Sequence, residues 1–493
     1  MPTDVFTILI ILLVILLFAA ALVIFRAMMY GRVPEPVETF ELQNLDGRLV
    51  AEHLAEAIRH KTVSLSDTEQ AGPEVFAGLH RALQKMYPRL HAALQRELVS
   101  ESSLLYTWQG RNPELDPVLL CAHLDVVPYD PSTRDQWTHA PFSGDVADGY
   151  VWGRGALDMK SVLITIFEAV EGLIRADYQP ERTLYLALGQ DEEMGGARGA
   201  RVIAALLAER GVRLEAVLDE GAAVTQGLVP GVDVPSALIG ISEKGYATVE
   251  LKVEGRPGHS SMPPPHTAVG VLARAVARVE ENPMPIRLSM VRLMFAELGA
   301  FLPFSTRLAL ANPLLFEGAL KKRITAFPQS AALARTTQAV TLIGGGIKDN
   351  VLPSEARAAV NCRLLPGDTR EKLKEHIRKA VNDEAVQIHL DEDLSWEPSP
   401  VSSIDSPMYR SLTKAIRQVF PEAAVAPYLV VGATDSRHYT WLCPSVYRFM
   451  PQIIDKELLA TIHGIDERIS IENLTRMVSF YRLLIETWTR AAE

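Results

Sequence analysis

The chain has 493 residues and carries 49 Lys+Arg against 60 Asp+Glu, a formal net charge of −11. That balance excludes nucleic-acid binding through a general basic surface, which needs clustered positive charge. Hydrophobic residues at 48% and charged residues at 22% exclude a largely disordered chain, and the scattered Cys121, Cys362 and Cys443 exclude a disulfide scaffold or a four-cysteine zinc module.

The mean hydropathy of +0.09 is high for a soluble enzyme, and its source is the N-terminus. From Phe6 to Phe25 no residue is charged and only Thr7 carries a hydroxyl. A helix of that length covers about 30 Å, one hydrocarbon core. The run is apolar all round, unlike a core helix. Asp4 is the only charge before it, so the basic n-region of a cleaved signal peptide is missing. The sequence therefore predicts a transmembrane anchor over residues 1–30. Arg26 and Arg32 come after the span and no basic residue precedes it, which by the positive-inside rule puts the body in the cytoplasm. Residues 31–45, with Pro34 and Pro36, read as a linker.

Val50, Leu54 and Ile58 then fall at i, i+4 and i+8, an amphipathic helix, and Phe76, Leu79, Leu83 and Met86 mark a second. Short apolar runs at 118–122, 184–189 and 215–219 alternate with helical patterns near 160–176 and 197–209. That alternation predicts an α/β fold with a mixed, mostly parallel sheet buried on both faces. Near Gly240 the character changes: 247–255 and 356–364 alternate like half-exposed strands, with a helical pattern from Thr267 to Val279. The expected organisation is a larger domain in two parts, 46–240 and 367–493, interrupted by a smaller α+β domain over 241–366. Within the insert, 284–335 is rich in Leu, Phe and Met, and an amphipathic helix near 472–489 ends the chain.

Acids and histidines gather where predicted strands end. The first run leads into His123-Leu124-Asp125, the second into Asp191-Glu192-Glu193, and the third into Asp219-Glu220-Gly221. Open α/β sheets bind ligands beyond the carboxyl ends of their strands, so these clusters converge on one crevice. Asp158 joins them from the Gly-rich segment 153–160, spaced 35 residues from His123 and 35 from Glu193. Each piece has a plainer reading alone: a polar loop end, a helix N-terminus, an N-cap, and, for His463, an ordinary loop histidine. Together, so many carboxylates would repel one another unless cations held them. Histidine with carboxylates suits Zn²⁺, with Mn²⁺ or Co²⁺ as substitutes.

The motifs LLCAHLDVVP (119–128), GRGALDMK (153–160), GQDEEMGG (189–196), VLDEG (217–221), GHSSMPP (258–264), KDNVLPSEARAAVNCRLLPGDT (348–369), GATDSRHY (432–439) and IHGIDERIS (462–470) occur in order. They resemble the aminoacylase/carboxypeptidase S family of di-zinc amidohydrolases over about residues 45 to 490, most of all its carboxypeptidase S and N-fatty-acyl-amino-acid synthase/hydrolase branches. The resemblance implies a di-zinc catalytic domain and an inserted lid or dimerisation domain. It implies that His123 and Asp219 bind one Zn²⁺, that Glu193 and His463 bind the other, and that Asp158 bridges both. Asp125 would orient His123, Glu192 would act as general base, and His259 would stabilise the oxyanion, in relatives often from a partner subunit. Asn350 and Arg363 match positions that grip the substrate carboxylate, and Asp435 and Arg437 line the site.

The activity so implied is hydrolysis of an amide bond next to a free carboxylate, on N-acyl and especially long-chain fatty-acyl amino acids, with the reverse condensation available. The rival within enzymes is a carboxypeptidase or dipeptidase on short peptides. A non-catalytic membrane-tethered binding protein is disfavoured, because every matched ligand and the base are present. The apolar stretch 289–318 reads as a helical pair packing on its own domain or on a dimer face, or else as a lid for an acyl chain or a surface touching the bilayer. The resemblance allows a homodimer. Its members act in lumenal or extracellular space, opposite to the arginine count, so the side of the membrane stays open.

Overall fold

The apolar runs become strands because β-branched and aliphatic residues fill both faces of a pleated sheet. The computed structural model describes residues 2–31, 33, 35–66, 69–392 and 394–490; Arg32 and Pro34, which bear on orientation and on the linker, lie outside them. The strands of the larger sheet are β1 (Gln95–Val99), β2 (Ser103–Trp108), β3 (Val118–His123), β4 (Leu184–Gly189), β5 (Ala216–Thr225), β6 (Ser236–Glu243), β11 (Ala424–Val430) and β12 (Val446–Ile454). Their order is β11-β6-β12-β5-β3-β4-β2-β1. The centre of the sheet is parallel: β5 pairs with β12 and β3, and β3 with β4. The β4–β2 and β2–β1 pairs are antiparallel, so the sheet is mixed as expected.

Helices cover both faces. The expected amphipathic helix is α2 (Gly47–Arg59), which packs with α3 (Lys160–Arg175) and the C-terminal α10 (Ile471–Trp488). Leu120 and Ala122 of β3 point to this side, while Leu119 and Cys121 point to α4 (Ala200–Glu209) on the other. All three cysteines are buried and unpaired. The second sheet has the order β8-β9-β7-β10, built from β7 (Gly245–Glu254), β8 (Thr337–Gly345), β9 (Glu355–Leu364) and β10 (Val386–Leu390). One of its faces is sealed by α5 (Ala268–Glu281) and α9 (Arg370–Val381) around Val249, Leu251, Leu272, Val360 and Leu373.

Two expectations are corrected here. Residues 370–390, expected in the second part of the larger domain, belong with the smaller sheet: β10 pairs with β7, and Leu373, Ile377 and Val381 enter its core. The boundary expected at 366–367 lies just before a helix start, with the Thr369 side chain accepting from Lys372 N. The apolar helices α6 (Ser289–Leu298), α7 (Phe304–Ala311) and α8 (Pro313–Ile324) do not pack on the inserted sheet either. Val291, Met294 and Leu298 join Leu238, Ala424 and Ala426 against the β6–β11 edge of the larger sheet. α1 (Pro2–Met28) includes Val5–Met28, whose most apolar 18 residues have a mean hydropathy of 3.6, long and apolar enough to cross a membrane.

Candidate metal centre

Parallel pairing puts the expected clusters at one edge. His123 closes β3 opposite Gly189 of β4, and Leu120 sits opposite Leu218, one residue before Asp219 on β5. The segment after β4 turns at once into Glu192–Met194, and Asp158 stands two residues before α3.

Asp158 is the hub. Its Oδ1 lies 3.1 Å from His123 Nε2 and its Oδ2 lies 3.0 Å from His463 Nε2. Each imidazole faces a further carboxylate: Glu220 Oε1 is 3.5 Å from His123 Nε2, and Glu193 Oε2 is 3.5 Å from His463 Nε2. The donor atoms of His123, Asp158 and Glu220, and those of Asp158, Glu193 and His463, each fall within 4.8 Å of one another. Two cation-sized positions therefore share one carboxylate.

The imidazole of His123 is held from behind. Its Nδ1 is 2.9 Å from the Asp125 backbone carbonyl and 3.3 Å from the Asp125 carboxylate. With a proton on Nδ1, the lone pair of Nε2 points at Asp158 and Glu220, an arrangement that calls for a cation between them. The Asp125 carboxylate also accepts from the backbone N–H groups of Glu192 and Glu193, at 3.2 and 3.3 Å. One side chain thus fixes both the histidine and the turn that carries the expected base.

The electrostatics agree with a cation site. Burial and the Glu220 charge push the Glu192 carboxyl well above the usual range. Burial and the Asp158 charge push Glu220 up to about 8, and burial raises Glu193 and Asp219. Burial opposes charge on His123, but hydrogen bonds to Asp125, Asp158 and Glu220 outweigh it and raise the imidazole. Hydrogen bonds to Asp158 and Glu193 lift His463 up to about 10. Glu193 Oε1 is buried without a hydrogen-bond partner. A pocket this short of positive charge, with nitrogen and oxygen donors only, fits two divalent cations of the Zn²⁺ class.

Asp219 stands apart from this arrangement. Its Oδ2 accepts from Ser436 N at 2.6 Å, while the next residue, Glu220, turns to His123. Successive side chains of a strand take opposite faces, and the β5–β12 register slips just beyond Asp219. The sequence places Glu220 in a cluster without a role, and nothing in it singles out Glu467, which is wholly buried. Glu467 accepts from the backbone N–H of Gly155, Leu157 and Asp158, at 3.0, 2.8 and 3.1 Å, and pairs with Arg154 at 2.6 Å.

The remaining residues divide. Arg363 lies 4.8 Å over the Tyr246 ring, Tyr246 stacks on Trp396 at 4.9 Å and 17°, and Arg437 lies 4.2 Å over Trp396. Arg437 also donates to Gly195 O at 2.5 Å, tying this stack to the loop of Glu192 and Glu193. Asp435 does not line an open cleft: it is buried, and a Cβ on Gly189 or Gly196 would meet its carboxylate at 2.4 or 2.1 Å. Asp435, expected to line the site, is held beneath the loop 189–196. His259 and Asn350 sit together at an exposed pair of short strands, Gly258–His259 and Val351–Leu352, Asn350 just before the second, where Ser260 N donates to Asn350 O. The His259 Nδ1 accepts from Ser261 Oγ at 2.8 Å, and the structure brings neither His259 nor Asn350 to the metal cluster.

Residues 119–487 match the model of peptidase family M20/M25/M40. The chain is 38% identical to the probable carboxypeptidase S-like 2 of Dictyostelium discoideum, over 92% of this chain and 87% of that protein. It is 40% identical to the N-fatty-acyl-amino acid synthase/hydrolase PM20D1 of Xenopus tropicalis, over 90% and 87%. Among solved structures, the M20 family metallo-carboxypeptidase Sso-CP2 from Sulfolobus solfataricus superposes with a TM-score of 0.65 at 17% identity, covering 89% of this chain and 99% of that one.

Proposed function

The chain belongs to peptidase family M20/M25/M40 and is a metallo-amidohydrolase, and from that premise we propose that it hydrolyses N-acyl amino acids, long-chain fatty-acyl ones above all, into acid and free amino acid. The observation that carries the reading is Asp158, whose two oxygens face two separate imidazole–carboxylate pairs. We propose two Zn²⁺ per chain: Glu193 and His463 at one position, His123 with a carboxylate of the Asp219–Glu220 pair at the other, and Asp158 between. The resemblance favours Asp219 for that carboxylate and the geometry favours Glu220.

Bound zinc would supply Lewis acidity and lower the pKa of a coordinated water toward about 7. The protein does the rest. Glu192, on a turn fixed by Asp125, takes the proton from water and returns it to the departing amine nitrogen. The raised pKa of Glu192 suits a group that must hold that proton between the two steps. Arg363, clamped on Tyr246, presents a planar guanidinium for two-point capture of the substrate carboxylate, with Asn350 beside it after the smaller sheet swings toward the larger. His259 stabilises the oxyanion, from its own chain or from a second copy. The smaller sheet then serves as the lid.

A second reading, carboxypeptidase action on short peptides, is supported by the carboxypeptidase S names among the relatives. Purified chain assayed on N-oleoyl-Phe, N-acetyl-Phe and a dipeptide separates them. Faster turnover of the dipeptide would replace the acyl reading with the peptide one. A fully active chain with no bound metal would sink both.

A further inference from the structure

The end of α1 is built into the body. Val23, Ala27, Tyr30 and Gly31 recur at i, i+4, i+7 and i+8, a single face of the helix and its last turn. Ala27 is fully buried. A Cβ on Gly31 would fall 2.2 Å from Ala300 N, and one on Gly299 would fall 2.8 Å from Gly31 Cα, so the two backbones touch directly. Asn312, the residue joining α7 to α8, is 3% exposed and donates to Val23 O at 3.0 Å.

That last contact sets a depth. Val23 lies two residues inside the C-terminal end of the apolar run at Phe25, about 3 Å along the helix axis. With α1 across a bilayer, Asn312 stands at the edge of the hydrocarbon, and the first turn of α8 stands there with it. That turn carries Leu314, 94% exposed, and Leu315, 66% exposed, and Phe304 is half-exposed on α7. The other end of α8 carries Lys321, Lys322 and Arg323, of which Lys321 pairs with Glu317 at 2.8 Å, and on α7 Arg307 lies 5.9 Å over the Phe304 ring. Exposed leucines at the hydrocarbon edge with cations nearby match the chemistry of an anionic leaflet surface.

We propose that α7 and α8 form a membrane-docking platform, with Leu314, Leu315 and Phe304 entering the acyl region of the leaflet beside α1 and Lys322 and Arg323 in the headgroup layer. The proposal rests on the reading of α1 as a membrane span. The occupant of this face is lipid and not protein, because the face begins where the anchor leaves the bilayer. The platform shares a core with Ala222, two residues beyond Glu220, so the metal strand β5 is braced against the membrane-facing segment.

The test uses the full chain in vesicles of phosphatidylcholine with a minor share of phosphatidylserine. Its native cysteines are buried, so single introduced cysteines take an environment-sensitive NBD label selectively. Leu314→Cys probes the platform, Leu13→Cys the middle of α1, and Ile347→Cys an exposed loop of the smaller sheet. The expected result is a blue-shifted label at 314, quenched by brominated phosphatidylcholine severalfold more than at 347. An aqueous label at 314 with a quenched label at 13 overturns the platform and leaves the anchor. Unquenched labels at both 13 and 314 overturn both. A blue-shifted but unquenched label at 314 means that protein, such as a second copy, covers the face, and overturns the platform.

Discussion

Asp158 and Glu467, 309 residues apart in sequence, meet through a backbone hydrogen bond: the Asp158 N–H donates to the Glu467 carboxylate at 3.1 Å. The same carboxylate holds Gly155, Leu157 and Arg154, and Arg154 donates onward to Gly464 O, next to His463. One buried side chain thus fixes the loops of Asp158 and His463, both proposed metal ligands. Glu467→Gln keeps the shape and removes the charge facing Arg154. Removing one partner of a buried ion pair costs about 3–5 kcal/mol, and the loss of support to metal ligands weakens binding about 10–100-fold. Thermal melting and zinc competition against a chelator are expected to show both. Zinc affinity equal to wild type would show that Glu467 serves the fold alone.

The Asp219–Glu220 pair yields a direct contest. Asp219→Asn and Glu220→Gln are close to isosteric, so each removes a charge with little change of volume. If Glu220 is the ligand at the His123 position, Glu220→Gln drops the zinc count from two toward one per chain, measured by ICP-MS. Asp219→Asn then keeps two, because Asp219 stands outside both donor groups and its Oδ2 is held by Ser436 N. The reverse pattern would assign the position to Asp219.

Much of the sheet was legible in the sequence. The runs 118–122 and 184–189 coincide with β3 and β4 because a strand buried on both faces has to be apolar throughout. His123 and Glu193 meet because the ends of parallel strands share an edge, and Asp158 and His463 reach them from loops. Glu467 was not legible. Three of its four partners are backbone N–H groups, which leave no trace in side-chain identity, and the fourth, Arg154, lies 313 residues away. The helices α6 to α8 were legible as apolar, but which surface they cover depends on the β6–β11 edge, a pairing between residues almost two hundred positions apart that periodicity does not encode.

His80 predicts an acid-sensitive term in stability. Burial and nearby Arg96 hold its imidazole down to about 4, against 6.5 for the ordinary group, so the folded chain keeps it neutral where the unfolded chain takes a proton. Stability from this group is intact above pH 6.5, falls as pH drops toward 4, and then levels. From pH 6.5 to pH 5 the loss is about 2 kcal/mol at 1.36 kcal/mol per pH unit. His80→Gln removes the titration, so its melting temperature is expected to fall less than that of wild type between pH 7 and pH 5. Parallel curves for the two proteins would refute the assignment.

His259 offers a test of assembly. It is exposed and away from the metal cluster of its own chain. If it completes the site of a second copy, inactive His259→Ala and inactive Glu192→Gln chains regain activity when co-expressed, because mixed dimers contain one site with both groups intact. Hydrolysis of N-oleoyl-Phe by the co-purified mixture measures this. A mixture as inactive as either parent would place His259 in its own chain's site, reached by closure of the smaller sheet.

Arg363 is the residue we propose for recognition of the free carboxylate. It sits on β9 directly opposite Tyr246 on β7, and the ring holds the guanidinium plane at 4.8 Å. Lysine in its place keeps the charge but loses both the plane and the paired donors. For Arg363→Lys the expected outcome is a KM for N-oleoyl-Phe raised about 10-fold or more, from loss of about 1.4 kcal/mol of binding, with kcat changed much less. The sharper measurement compares N-oleoyl-Phe with its amide, which lacks the charge that Arg363 would pair with. Wild type prefers the acid strongly, and the Arg363→Lys variant loses most of that preference by weakening on the acid alone. Equal loss on acid and amide would mean that Arg363 holds the stack of Tyr246, Trp396 and Arg437 in place without touching substrate.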